Sequence, residues 1–374
     1  MKFRVERDVL ADAVTWTART LPTRPSLPML AGLLLTADSH GLSLSSFDYE
    51  VSSQVSVDAA VDEAGTTLVS GRLLADISRS LPSAPVTITT DGTRVDLKCG
   101  RASFTLPTLP VDDYPPLPGL PTGGGSVSGS VLAAAVSQVA IAAGRDESLP
   151  MLTGVRLEFD GSTLTLAATD RYRLAVREIE WSPDDPKIEA SAIVPSRALA
   201  ETAKALAGAA EVRLALSGDG VPERLLGFEG AGRRTTTRLL DAQFPQYRQL
   251  LPSESSTLVT IDTAELADAL KRVALVAERH APVRLDVRGD EVVLRAGAGD
   301  EATAEESLEA RVTGEPLEIA FNPTYFADGL AQLGSPLAQL AFTVSTRPAV
   351  LSPATDDGAR DDYKYLLMPI RLTG

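Results

Sequence analysis

The 374-residue chain has one cysteine, Cys99, and two histidines, His40 and His280. That scarcity leaves no material for a disulfide framework or for a Cys- or His-built metal centre. No apolar run approaches the roughly 20 residues of a membrane helix, and MKFRVERDVL is charged from its second residue, unlike a secretory signal. A cytoplasmic protein with no membrane contact is expected. The motifs GxSxG, HExxH, GxxxxGK[ST] and CxxC are all missing. Gly297-Ala298-Gly299 with Ala302 formally satisfies GxGxxA, but an acidic strand-like segment, DEATAEESLEARV, follows where a dinucleotide site needs a helix. Neither catalysis nor a metal or cofactor is expected. Lysine is also scarce, 6 against 29 arginines, and the net charge of −15 argues against a polyanionic partner unless positive charge is gathered on one surface.

What the chain does have is repetition. LPMLAGLLLTADSHGLSLSSFDYE, from Leu27, returns 122 positions later in LPMLTGVRLEFDGSTLTLAATDRYRLA. VRLEFDGSTLTLAA, from Val155, returns at Val283 as VRLDVRGDEVVLRA. Each reads as a hairpin turning at a glycine or its neighbour. Helical spacing occurs twice in each third of the chain. One helix starts each unit (DVLADAVTWTART, SVLAAAVSQVAIAAG, DTAELADALKRVALVAE), and a second lies in VSGRLLADISRSL, VPSRALAETAKAL and FNPTYFADGLAQL. Asp262 with Glu265, and Asn322 before Pro323, are start signals; Gly144 reads as a stop. Pro/Gly-rich PVDDYPPLPGLPTGGGSVSGS and LPSESS mark boundaries, with GGGS read as a linker. The expectation is α+β, three tandem units at 1–120, 121–252 and 253–374, each packing two helices on one sheet face.

Asp48 and Asp170 occupy equivalent places in two repeats. A carboxylate repeated with the fold is expected to bond a turn; the alternative is a catalytic pair. RRTTTR (233–238) reads either as a basic patch or as a solvated strand with alternating faces.

Three tandem two-helix units, together with MKFRVERDVL, ATDRYRLAV (168–176), FPQYRQLLP (244–252) and YLLMPIRL (365–372), resemble the bacterial DNA sliding clamp, the beta subunit of DNA polymerase III. The resemblance spans the whole chain. It implies a head-to-tail dimeric ring with helices inside and sheets outside, which encircles double-stranded DNA without reading sequence and tethers polymerase subunits and a clamp loader through short peptide motifs. A variant, inhibitor-resistant copy is a second possibility within the family; a three-domain protein-interaction scaffold that never encircles DNA is the alternative outside it. Geometry agrees with a ring, because a domain of about 120 residues is roughly 34 Å across and six of them in a hexagon enclose a hole of about 34 Å.

A ring needs positive charge only on the helices lining its hole. Arg7, Arg19, Arg72, Arg79, Arg197, Lys204, Lys271 and Arg272 lie on the expected helices, and Arg24 and Arg145 in loops where the family touches DNA. For closure, unit one offers Arg101, Phe104 and Leu106 on a candidate edge strand. Unit three offers Leu275 and Val276 on its helix and Glu301, Glu305 and Glu306 on its acidic strand. Acid is concentrated there: twenty acidic against eleven basic residues, compared with fourteen against ten in unit one and sixteen against fourteen in unit two. The family's peptide groove, carried onto this chain, would be walled by Leu152, Thr169, Arg171, Tyr172, Arg173, Leu174, Pro245, Leu250, Arg347, Leu366, Leu367, Met368, Pro369, Ile370 and Arg371. The chain departs from the family pattern at Arg171-Tyr172, where Gly-His is common, at Gln249, where arginine is frequent, and at Asp146.

Overall fold

The computed structural model describes residues 1–218, 224–278, 281–297 and 302–371. Among them are seven α-helices: α1 (Arg7–Thr17), α2 (Gly71–Ser80), α3 (Gly129–Ala140), α4 (Pro150–Thr153), α5 (Ser196–Ala205), α6 (Thr263–Val273) and α7 (Pro323–Ala331). Six are the helices expected from the sequence. The seventh, α4, is a single turn opened by Pro150. The Asp262 carboxylate caps α6 by accepting from the Ala264 and Glu265 amides, both at 2.9 Å. Asn322 caps α7 in the same way, with Pro323 behind it.

The chain folds into two compact units. The first takes Met1–Ala133, Trp181–Asp185 and Glu201–Leu239; the second takes Ala134–Glu180, Pro186–Ala200 and Leu240–Gly374. The middle repeat is therefore divided, and strand pairing is the reason. In the first unit one antiparallel sheet of 14 strands runs unbroken, because Val51–Val57 of repeat one pairs with Arg233–Arg238 of repeat two, Val51 opposite Thr237. In the second, a ten-stranded sheet is joined the same way. There Arg173–Glu180 pairs with Tyr363–Leu367, Arg173 opposite Leu367. A separate four-stranded sheet orders Ala304–Glu309, Glu291–Ala296, Val283–Arg288 and Leu317–Phe321.

Local chemistry explains these elements. Gly161 and Gly289 take φ of 51° and 54° in two-residue hairpin turns, a conformation that costs glycine little. Alternation buries Leu33, Leu35 and Ala37 of Gly32–Asp38 on one face. On α2, Leu74, Ala75 and Ile77 are buried while Arg72 and Arg79 stay exposed. α1 packs on α2, closing a core that includes Phe3, Leu10, Trp16, Leu74 and Leu97.

Three sequence expectations fail. GGGS is not a linker: Gly123–Val127 is a strand paired with Val212–Leu216. A Cβ on Gly124 would lie 1.8 Å from the Leu214 carbonyl oxygen, so glycine is needed here for close backbone approach. RRTTTR is neither a solvated strand nor an unpaired patch. Thr235, Thr236 and Thr237 are all buried, with Thr236 Oγ1 2.6 Å from Ser52 Oγ, and Arg233 and Arg234 pair with Asp12 (2.6 Å) and Glu229 (2.8 Å). Gly144 does not cap α3, which ends at Ala140; the Gly144 amide instead donates to the Leu152 carbonyl at 2.7 Å.

Candidate peptide groove, nucleic-acid face and closure edges

Asp170 builds a turn. Its Oδ1 accepts from the amides of Tyr172 and Arg173, each at 3.0 Å. Asp48 does the same for Glu50 and Val51, at 3.0 and 2.7 Å. The repeated carboxylates therefore serve the fold, as their repetition implied. The residue after each aspartate is left-handed: φ is 81° at Arg171 and 73° at Tyr49. Glycine at position 171 would be unstrained; arginine is not.

The other Asp170 oxygen receives Arg173 Nε at 3.0 Å. Arg173 Nη1 reaches Asp328 Oδ2 at 2.5 Å and the Tyr365 hydroxyl at 3.3 Å, and the guanidinium lies over the Tyr325 ring. Burial alone would lower the Arg173 pKa, but Tyr365, Asp328 and Asp170 outweigh it and the net shift is upward. The 170–173 turn is thereby clamped to α7. The Met368 amide donates to the Tyr172 carbonyl at 2.9 Å, which ties the carboxy-terminal LLMPIR segment to the same turn.

Of the fifteen residues expected to wall a groove, Tyr172, Leu250 and Met368 are large apolar side chains exposed at 55%, 50% and 42%. Arg171, Arg347 and Arg371 are exposed, the first next to Tyr172 in the chain, and Pro245, Pro369 and Ile370 are half-buried. The other six, Leu152, Thr169, Arg173, Leu174, Leu366 and Leu367, are buried. Leu174 and Leu366 pack in an apolar cluster with Phe244 and Tyr247. Thr169 Oγ1 donates to the Arg173 carbonyl at 2.7 Å. Tyr325, absent from the expected set, stacks on Tyr172 with centroids 6.2 Å apart.

A second polar network fixes the 244–251 segment. Glu158 accepts from the Tyr247 hydroxyl at 2.9 Å and from Arg156 Nε at 2.6 Å, and Arg248 Nη2 lies 2.5 Å away. Burial pushes the Glu158 carboxyl up, but these partners outweigh it and hold the group below its ordinary value.

The basic residues expected to meet DNA are exposed: Arg72 and Arg79 on α2, Arg197 and Lys204 on α5, Lys271 and Arg272 on α6, and Arg24 and Arg145 in loops. Arg19, just past α1, is exposed too. Several are already engaged. Arg79 pairs with Asp76, and Arg72 Nη2 donates to the Pro22 carbonyl at 3.0 Å. Arg7 is half-buried and donates to the carbonyls of Leu81 and Arg79 at 3.2 and 2.8 Å, so it terminates α2 instead of facing solvent. Arg272 donates to both oxygens of Glu306, at 3.0 and 2.5 Å. A cation assigned to the DNA surface and an anion assigned to the closure surface are thus partners of each other. Glu305 likewise pairs with Arg295 at 2.6 Å.

Both strands that carry expected closure residues present open edges among the described residues. Ala102–Leu109 pairs with Arg94–Cys99 along one side, but on the other only Thr108 and Leu109 are paired. Arg101 is exposed just before it and Phe104 is half-buried, whereas Leu106 is 1% exposed and packs in the core. Ala304–Glu309 pairs only with Glu291–Ala296. Glu301 lies outside the described residues. Near α6, Leu275 is 82% exposed and Val276 half-buried.

Comparison with known proteins gives these features a common frame. The chain matches the DNA polymerase III beta subunit over its full length: the N-terminal domain at residues 1–118, the central domain at 126–246 and the C-terminal domain at 248–371. It is 58% identical to the beta sliding clamp of Streptomyces coelicolor, with 100% of both chains covered. It is 45% identical to the beta sliding clamp homolog GriR of Streptomyces muensis, with 99% of both covered. The crystal structure of the DNA polymerase sliding clamp from Bacillus subtilis superposes with a TM-score of 0.92 at 25% identity, again over 100% of both chains. With three family domains in order along its length and the three-domain clamp fold, this chain belongs to the DNA polymerase III beta-subunit family, the bacterial sliding clamps.

Proposed function

We propose that two copies of this chain close head to tail into a ring that encircles duplex DNA, slides along it and tethers polymerases. It is a cytoplasmic processivity factor of replication and repair with no catalysis of its own. The observation that carries this reading is the end-to-end 58% identity to a beta sliding clamp. The open edges of Ala102–Leu109 and Ala304–Glu309 supply backbone groups for closure, with Leu275 and Phe104 as apolar contacts. Exposed cations on α2, α5 and α6 meet phosphates without base readout, as sliding requires. Polymerase subunits and the clamp loader dock through short extended peptides at the rim made by Tyr172, Leu250 and Met368.

Loading onto a circular plasmid followed by linearisation tests the ring. The protein is expected to stay on the closed circle through a high-salt wash and to leave once the circle is cut. Retention on the linear form, or loss from both forms, removes topological linkage from the account. Light scattering should give the mass of two chains.

A further inference from the structure

The two sheet junctions are built to one plan. In the second unit the Met368 amide donates to the Tyr172 carbonyl; in the first, the Arg238 amide donates to the Glu50 carbonyl, each at 2.9 Å. The registers agree, Leu367 lying opposite Arg173 and Thr237 opposite Val51. Each junction has its aspartate-closed turn with a left-handed residue next to the carboxylate. The connecting segments also correspond: FPQYRQLLP after the second repeat, YPPLPGLP after the first. The first junction contains a cavity of about 330 Å³, lined by Phe47, Tyr49, Pro116 and Leu117 among others, with Glu50 and Arg238 among its polar groups. That volume suits one or two peptide side chains. The rings of Phe47 and Tyr49 lie tilted against each other with centroids 5.5 Å apart, and Tyr49 is 44% exposed. Proline walls are rigid before any partner arrives, which lowers the ordering cost of binding.

What differs between the junctions is charge. Next to Tyr172 and Met368 in the chain the exposed charges are Arg171 and Arg371, and Asp146, also exposed, acts on Arg171. At the first junction Glu50 takes the place of Tyr172 and Arg238 that of Met368, and the two ions lie 3.8 Å apart. Asp112 and Asp113, both exposed, sit in the loop just before Tyr114 and the proline wall. Counting exposed Arg224 beside Leu225, the first rim carries Glu50, Asp112 and Asp113 against Arg224 and Arg238, a slight acidic excess, whereas the second carries a basic one.

We propose that the cavity beside Tyr49 is a second docking site, for an extended segment of a partner protein with an aliphatic or aromatic anchor flanked by lysine or arginine. The proposal rests on the peptide-groove reading above, because the likeness of the two junctions is part of its support. The two sites then sort partners by charge: acidic apolar segments at Met368, basic apolar ones at Tyr49.

The probes are two fluorescein-labelled octapeptides with a central Leu-Phe anchor, one flanked by lysines and one by glutamates, titrated against the full-length protein by fluorescence anisotropy. Tyr49→Gly removes the ring at a backbone position glycine tolerates (φ 73°), so the turn survives. It is expected to weaken the lysine peptide by about tenfold or more and to leave the glutamate peptide unchanged. Met368→Glu is expected to do the reverse, so failure of the groove reading shows separately, as a glutamate peptide indifferent to that variant. The Tyr49 proposal is overturned if the lysine peptide fails to bind the unaltered protein, binds Tyr49→Gly equally well, or is displaced by Met368→Glu. It is also overturned if Tyr49→Gly lowers the mass in light scattering, which would give the cavity to a second copy of the chain.

Discussion

Arg173 lies over the ring of Tyr325, its guanidinium carbon 4.5 Å from the centroid, and Tyr325 in turn stacks on Tyr172. The Tyr172 turn is thus supported by a buried cation held between Asp170 and Asp328. Replacing Arg173 with methionine keeps the bulk but strands both carboxylates, whose side chains are 14% and 31% exposed. A loss of about 3 kcal/mol in urea unfolding is expected. Arg173→Lys should recover only part of it, since an ammonium lacks the fork that spans two carboxylates. A methionine variant as stable as the parent would remove this network from the fold's supports.

Arg171 is a non-glycine residue at φ 81°. Arg171→Gly relieves that conformation at the cost of a more flexible unfolded chain, so a net gain of about 0.5–1 kcal/mol is expected. Chemical denaturation decides the sign; a loss of stability would mean that the Arg171 side chain, 6.0 Å from the Tyr172 centroid, contributes more than the backbone costs.

Met368→Glu places a charge among exposed apolar groups at the rim. Peptide affinity is expected to fall at least about tenfold with the two-chain mass unchanged. Isothermal titration and light scattering on one sample separate the two effects, and undiminished affinity would move the docking site elsewhere.

Glu158 has its native pKa depressed by Tyr247, Arg156 and Arg248 against the opposing effect of burial. A depressed carboxylate stabilises the fold above its ordinary value of 4.5, and that contribution fades as the pH falls below it through the lower native value. Glu158→Gln should be less stable than the parent at neutral pH, with the gap closing on acidification below 4.5. A gap that stays constant with pH would show that the carboxylate's charge contributes nothing.

Glu306→Gln frees Arg272 from its bidentate partner. If α6 faces DNA, the slope of log affinity against log salt for duplex DNA should steepen by about 0.9, one additional phosphate contact. An unchanged slope places Arg272 at the closure edge instead.

Much of this was legible in the sequence where the chemistry is local. Asn322-Pro323 and Asp262 cap helices because a start signal needs only three or four neighbouring residues, and the turn-forming role of Asp48 and Asp170 followed from their repetition. What escaped depends on partners far apart in the chain. Arg272 and Glu306 are 34 residues apart on different elements, and Tyr325 gains its role only beside Tyr172 and Arg173. GGGS misled for a different reason: glycines that permit flexibility and glycines that permit tight backbone contact look alike in composition. Buried threonines in RRTTTR read as solvated because each hydroxyl is polar until, like Thr236, it finds a partner.

The pairing of Glu305 and Glu306 with Arg295 and Arg272 leaves Glu309 as the one carboxylate of Ala304–Glu309 outside those two ion pairs. A seam formed along this strand would draw its strength from main-chain bonds and contacts such as Leu275, which dissolved ions scarcely weaken. Rising ionic strength would then loosen the grip on phosphates long before it parted the two subunits, so the molecule could lose its hold on the track and still remain threaded on it.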